Sequence, residues 1–343
     1  MTTIRRRTLL PMPFIAAWGA SATAAAPDWD AVTAAANGQG RVNILHNTPP
    51  PLGDLWMAEF HKTFPQIQVE ATRLGSSELM QRFNTENAAG VSQTDVVMTL
   101  WDDTLLKWST DGWIRTWTPP DAAAFDPQYK VRDQIYVVQL IRASMVSSKT
   151  RIREADAPRE WVDFFNPKWK DRIGMDPPWR SVAVQEMLAY WNQMGMKDVA
   201  QRLKANGVRF FNGSAGVVQA VIRGDIWVAA VIDPPVIAAL GDDAPIRAVF
   251  PESGIPAIAT TMFVPAKAPN AEAGMVFLNW AMSAAGQKQF LDIAGAPVTR
   301  PGVGSPKLVP GIEGQKIILS TILLNPDNQK AIIDEWRSVF GLQ

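Results

Sequence analysis

The chain has 343 residues with 33 basic and 33 acidic side chains, no cysteine, 14 tryptophans and three tyrosines. That balance gives no sign of the basic face a nucleic-acid partner requires, and the missing cysteine excludes disulfides, thiolate metal sites, a lipidated N-terminal cysteine and a cysteine nucleophile. About 320 residues beyond an export segment suffice to bury one large core or two without covalent staples.

Arg5-Arg6-Arg7-Thr8-Leu9-Leu10 sets a basic cluster ahead of an apolar, alanine-rich run to about Ala26, and no acidic residue precedes Asp28. This is the order of an export signal over residues 1–26, with cleavage after Ala24, so the mature protein is expected in the periplasm. The arginine pair before a threonine and two leucines resembles a twin-arginine signal, with the ordinary secretory route as the alternative. Prolines at 11 and 13 interrupt the run, which argues against a membrane anchor. Without its three signal arginines the mature chain carries a charge of about minus three. Pro27 to Gly40, rich in Ala, Gly and Asn, reads as a mobile tail.

Val42 to Leu45 reads as a strand, followed by the polar turn His46-Asn47-Thr48 and three prolines, then a helix with an apolar stripe at Leu52, Leu55, Trp56 and Phe60. Ile67 to Ala71 alternates like a strand, Gly75-Ser76-Ser77-Glu78 reads as a serine-capped helix start running to about Ala88, and Asp95 to Met98 as another strand. Strand, helix, strand, helix, strand is the unit of an open α/β sheet. The middle repeats it: an apolar stretch from Val137 to Ser147, a short helix over Pro158 to Phe165, a strand at Ile173 to Met175, helices over Val182 to Met194 and Gly216 to Arg223, and a buried strand at Trp227 to Ile232. A strand at Ile258 to Val264 and helices at Glu272 to Met282, Gln287 to Ile293 and Asn328 to Val339 complete the chain. Two α/β units without a Gly/Pro-rich linker imply lobes joined by strands that cross more than once.

In open α/β sheets ligands gather beyond the carboxyl ends of strands, where helix N-termini present free N–H groups. Five loops fit. Thr48 is a ligand contact or part of a rigid polar turn, and Ser76 a contact or a helix cap. Trp101 and Asp102 offer an aromatic face and a carboxylate, with helix capping as the alternative for Asp102. Trp179, Arg180 and Ser181 place a ring, a guanidinium and a hydroxyl before a long helix, the arrangement that grips a carboxylate or phosphate; a surface arginine with a serine cap is the alternative. Asp233, ahead of two prolines, suits an ammonium or hydroxyl, or caps the next segment. The enzyme motifs G-x-S-x-G and GxxxxGK[ST] are absent, His46 and His61 are the only histidines, and no carboxylate pair singles itself out, so no catalytic or metal residue and no cofactor is assigned.

The succession Val42-Asn43-Ile44-Leu45, Phe60 and Pro65 with Ile67 and Val69, Gly75-Ser76-Ser77-Glu78-Leu79, Thr94-Asp95-Val96-Val97, Gly112-Trp113-Ile114, Trp161 to Met175 and Gly224-Asp225-Ile226-Trp227-Val228 resembles the extracellular solute-binding proteins of ABC importers. It is most similar to the branch that binds ferric iron, thiamine, polyamines, phosphonates and sugar phosphates. The resemblance implies a type II periplasmic binding-protein fold: one α/β lobe over 41–138 plus 259–343, the other over 139–258, with hinge strands near 136–142 and 255–261. It implies a non-enzymatic monomer that closes on a small solute and docks on an inner-membrane permease with its ATPase. Iron binders of the branch use adjacent tyrosines after the strand resembling Trp227 to Val231, where this chain reads Ile232-Asp233-Pro234-Pro235. Ferric ion favours phenolate and carboxylate oxygen, so the departure points away from iron. Arg180 points to an anionic solute such as a phosphonate, phosphate ester or carboxylate. Trp101, Trp179 and Asp233 suit a polyamine or thiamine as the alternative.

Overall fold

The computed structural model describes residues 28–48, 50–241, 243–319 and 326–342; the export segment lies outside them. After α1 (Trp29–Gln39), the first half of the chain builds β1 (Arg41–His46), α2 (Leu52–Thr63), β2 (Gln68–Arg73), α3 (Ser76–Ala88), β3 (Val96–Leu100), α4 (Thr104–Thr110), β4 (Lys130–Val131) and the long β5 (Ile135–Ser148). Next come β6 (Ile173–Met175), α5 (Val182–Gln193), α6 (Val199–Ala205), β7 (Arg209–Phe210), α7 (Gly213–Arg223), β8 (Val228–Ile232), α8 (Asp233–Ala239) and β9 (Ile246–Val249). The chain returns through β10 (Ile255–Phe263), α9 (Ala271–Met282), α10 (Ala284–Ala294), β11 (Ile317–Leu319) and a C-terminal helix, Pro326–Phe340.

The strands form one mixed sheet in the order β2-β1-β3-β10-β5-β8-β6-β7. β2, β1 and β3 run parallel, as do β7, β6 and β8. Covered on both faces, β3 and β8 read as nearly unbroken apolar runs, VVMTL and VAAVI, as buried parallel strands do. β5 serves both parts of the sheet. Tyr136 to Arg142 pair antiparallel with β10, while Ala143 to Ser148 lie between β8 and β9.

The core divides at the same place. Trp56, Phe60, Phe277 and Phe290 centre one cluster on the first part of the sheet, and Phe83, Trp108 and Phe263 fill its opposite face. Trp161, Phe164 and Trp191 centre a cluster on the second part, with Val217, Val221 and Val231 on the other face. Asp95, fully buried, ties the first part together by accepting from the backbone and side-chain amides of Asn43 and of Asn270. Such a carboxylate is tolerated because four N–H donors replace the water it loses.

Three expectations need correction. The stretch before Gly40 is no tail: Asp28 caps α1, Trp29 stacks on Trp117 at 6.4 Å, Val32 and Ala36 are buried, and Gln39 bonds Glu272 and the Ala273 N–H. Its alanines are helix formers, and the composition misled because two buried positions and one indole stack suffice to dock it. The helix expected over Pro158 to Phe165 is a 3-10 turn at Trp161–Phe165. The C-terminal helix, grouped by sequence with the first unit, inserts Ile332 and Trp336 into the second cluster, where Trp336 lies 6.2 Å from Phe210.

Candidate functional site

The carboxyl ends of β1, β2 and β3 carry Asn47 and Thr48, Ser76 and Ser77, and Trp101 to Asp103 to one place. Thr48 is buried, its hydroxyl 3.6 Å from Met98 Sδ and its carbonyl accepting from Arg73 Nε at 3.1 Å. Ser76 does not cap α3. Gly75 holds the N-cap position without a side-chain bond, and the Ser76 hydroxyl, already in the first turn, accepts from the Asn47 amide at 2.9 Å. The free N–H groups of a 13-residue helix therefore open beside it. Trp101 is half-buried between two apolar clusters, and its Nε1 is buried without a hydrogen-bond partner. Asp102 is exposed and accepts the Thr104 N–H at 2.8 Å, which closes the turn into α4, whose N-cap residue is Asp103.

Two cavities lie here. One, of about 430 Å³, runs from Ser76, Ser77 and Trp101 to Asp103 across to Val182 and Glu186 of α5, Ile258 of β10 and Gln329 of the C-terminal helix. The other, of about 380 Å³, is bounded by Thr48, Ser76, Gln139 and Ile141 of β5, Thr260 of β10, and Pro234, Ile237 and Ala238 of α8. Both take walls from both parts of the sheet; β10 contributes to each, and β5 to the second. The charged residues lining the first are Asp102, Asp103 and Glu186; none of the described residues lining either cavity is Lys or Arg.

Of the eight residues singled out by sequence, Thr48, Ser76, Trp101 and Asp102 converge on these cavities, and the other four line neither. Trp179 packs against Phe210 with ring centroids 5.0 Å apart. Ser181 caps α5 by accepting from the Val184 N–H at 3.4 Å, and Arg180 is exposed. Asp176 organises the loop. Burial pushes its carboxyl up, while the Gly213 N–H, the Arg180 charge and the Ser181 hydroxyl pull it back. Arg180 thus lies within electrostatic reach of a buried carboxylate of its own loop.

Asp233 requires correction as a ligand contact. It is fully buried and paired with Arg142, itself fully buried, at 2.9 Å from Nε to Oδ2. Arg142 Nη1 donates to Pro310 O and Gln315 Oε1, and its guanidinium lies 4.2 Å from the Phe250 ring centre. The pair joins β5, α8 and the 310–315 segment beneath the second cavity.

Sequence reasoning missed Glu186, Gln139 and Gln329. Glu186 left a signal: it is the one charged residue in the helix VAVQEMLAYWNQ, a position that polar-residue scans of loops overlook. Gln329 left none, because its helix comes from the far end of the chain.

The tyrosines are structural. Tyr136 donates to Trp117 O and Tyr190 to Ser253 O, each at 2.7 Å, and burial pushes the Tyr129 phenol up to about 12. Burial likewise raises Tyr136 and Tyr190. Among the described residues no group of three His, Asp or Glu side chains stands close enough to hold a metal ion.

A two-part α/β sheet joined through continuous strands, with a cleft at the junction, defines a type II periplasmic binding-protein fold. Residues 46–288 match the family model described as bacterial extracellular solute-binding protein, and the chain belongs to that family. A comparison with curated protein sequences finds no match. Among solved structures, a substrate-binding protein of an ABC transporter from Agrobacterium tumefaciens is similar at TM-score 0.71 and 18% identity, over 87% of this chain and 94% of that one. Iron-bound HitA from Pseudomonas aeruginosa is similar at TM-score 0.69 and 19% identity, over 87% and 99%. AfuA from Actinobacillus pleuropneumoniae, with fructose-6-phosphate bound, is similar at TM-score 0.67 and 17% identity, over 89% and 100%. At such identities the likeness shows the fold alone. Proteins of this class work with a membrane permease and its ATPase.

Proposed function

We propose that this protein captures a small organic cation in the cleft, performs no chemistry on it, and delivers it as a monomer to an inner-membrane permease from the periplasm, which it reaches through its N-terminal signal, a twin-arginine type by its Arg5 and Arg6 pair. The lobes in this reading are 41–138 with 259–319, and 139–258 with the C-terminal helix. The observation that carries it is the charge of the first cavity: Asp102, Asp103 and Glu186 stand on its wall beside the Trp101 indole, and none of the described residues lining it is basic. Carboxylates and an aromatic ring are the groups that replace water around an ammonium ion.

A second reading, capture of a phosphonate, phosphate ester or carboxylate, is favoured by the α3 N-terminus beside Ser76 and Ser77, since helix N-termini attract anions. Calorimetric titration of the stripped mature protein with amines and with the corresponding anions separates the two. Asp102→Asn and Glu186→Gln are each expected to weaken amine binding about 10- to 100-fold, the worth of a charge-assisted hydrogen bond, and Arg180→Ala to leave it unchanged. Binding of anions alone, lost in Arg180→Ala, refutes the cation reading.

A further inference from the structure

The two cavities share Ser76 and Leu100 on their walls, so they meet at the start of α3. Their chemistry is opposite. The first holds the three carboxylates. The second presents Leu52, Ile141, Ile237 and Ala296 to its interior, and its polar lining, Asn47, Thr48, Gln139 and Thr260 among it, is uncharged. We propose that they are two compartments of one cleft and that the solute is an organic ammonium ion carrying an aryl or alkyl body, with the charged end among Asp102, Asp103 and Glu186 and the body against Ile141 and Ile237. This rests on the cation reading above and selects within it.

The selection follows from what each compartment excludes. A polyamine carries charge along its length, and a second ammonium placed in the apolar compartment is stripped of water with no carboxylate to replace it. A small amine without a body fills the first compartment and leaves Ile141, Ile237 and Ala296 facing water. A solute of both kinds satisfies both, and each compartment falls at the scale of an ordinary ligand site, 430 and 380 Å³. The second compartment also takes Gln139, Ile141 and Thr260 from β5 and β10, so the body of the solute rests on the strands that pass between the two parts of the sheet.

The test uses the mature wild-type protein and four probes: n-butylamine, n-hexylamine, 1,6-diaminohexane and hexanoate. Each methylene entering an apolar compartment strengthens binding about fourfold, so hexylamine is expected to bind roughly 15-fold tighter than butylamine. Diaminohexane is expected to bind more weakly than hexylamine, and hexanoate more weakly than either. Ala238→Trp fills the second compartment from an exposed position on α8 and is expected to erase the gain from butyl to hexyl. Affinity that ignores chain length, or a diamine that binds as tightly as hexylamine, overturns the two-compartment proposal and leaves the cation reading standing. Binding of hexanoate without binding of any amine overturns both. Should Ala238→Trp lower the melting temperature, the wild-type chain-length series decides alone.

Discussion

Arg142→Met leaves the Asp233 carboxylate fully buried with its cation removed, and the structure indicates how much that costs. Burial raises the Asp233 carboxyl, Arg142 pulls it back, and the net direction remains upward; burial likewise lowers Arg142. Desolvation therefore outweighs attraction within the pair, and at neutral pH the charged pair contributes orientation more than stability. Removing one partner is a different matter, because the other stays in place uncompensated: about 3 to 5 kcal/mol. With an unfolding entropy of about 2.1 cal/mol/K per residue over roughly 300 residues, the expected drop in Tm is about 5 to 8 °C. The double variant Arg142→Met/Asp233→Leu removes both charges and is expected to recover most of this loss. Recovery is limited by the Arg142 backbone N–H, which loses its acceptor Asp233 Oδ1 at 3.1 Å, worth about 1 kcal/mol. Differential scanning calorimetry of the three proteins measures it. A single variant that loses less than about 2 °C, or a double variant less stable than the single, refutes the assignment of this pair as a mutually dependent buried unit.

Three further outcomes are expected. His46 is buried with Nδ1 unpartnered, and its pKa is lowered by burial, with Asp54 opposing and Arg73 assisting. The folded state thus resists protonation, stability falls as pH drops below about 6.5, and His46→Gln flattens the Tm profile on the acid side of that value. A Cβ on Gly274 would lie 2.5 Å from the Asp95 carbonyl oxygen where α9 crosses β3, so Gly274→Ala costs about 1 to 3 kcal/mol and lowers the urea midpoint with an unchanged m value. Absorbance titration finds the Tyr129 phenol ionising near 12 instead of near 10, and an ordinary alkaline transition in the folded protein contradicts its burial.

Periodicity and strand ends were legible where one element determines its own burial. The strand expected at Val42 to Leu45 is observed at Arg41–His46, and the helix expected to about Ala88 ends there. Half of the lining of the candidate cleft was legible for the same reason. Thr48, Ser76, Trp101 and Asp102 follow consecutive parallel strands, so the sheet itself brings them together. Arg180 and Asp233 also follow strands, but Arg180 belongs to a loop organised around the buried Asp176 four residues earlier, and Asp233 pairs with Arg142 across 91 residues. Sequence position shows which groups reach the rim of a sheet and is silent on which of them are already taken. Gln329 and the packing of Trp336 depend on the return of the C-terminal helix, a long-range contact that no local pattern encodes.

The 14-residue β5 is a single piece of backbone that supplies hydrogen bonds to both parts of the sheet and side chains to the cleft. Redesign of this protein as a sensor for other solutes therefore meets two kinds of position. Asp102, Asp103, Glu186 and Ala238 sit on loops and helices and accept exchange without disturbing the ladder. Gln139, Ile141, Ile258 and Thr260 sit in the β5–β10 ladder itself, so under the proposed function a substitution there would touch ligand preference and the ladder together. Under that proposal, a library that varies only the first group searches ligand preference, and one that includes the second also perturbs the strands shared by the two parts of the sheet.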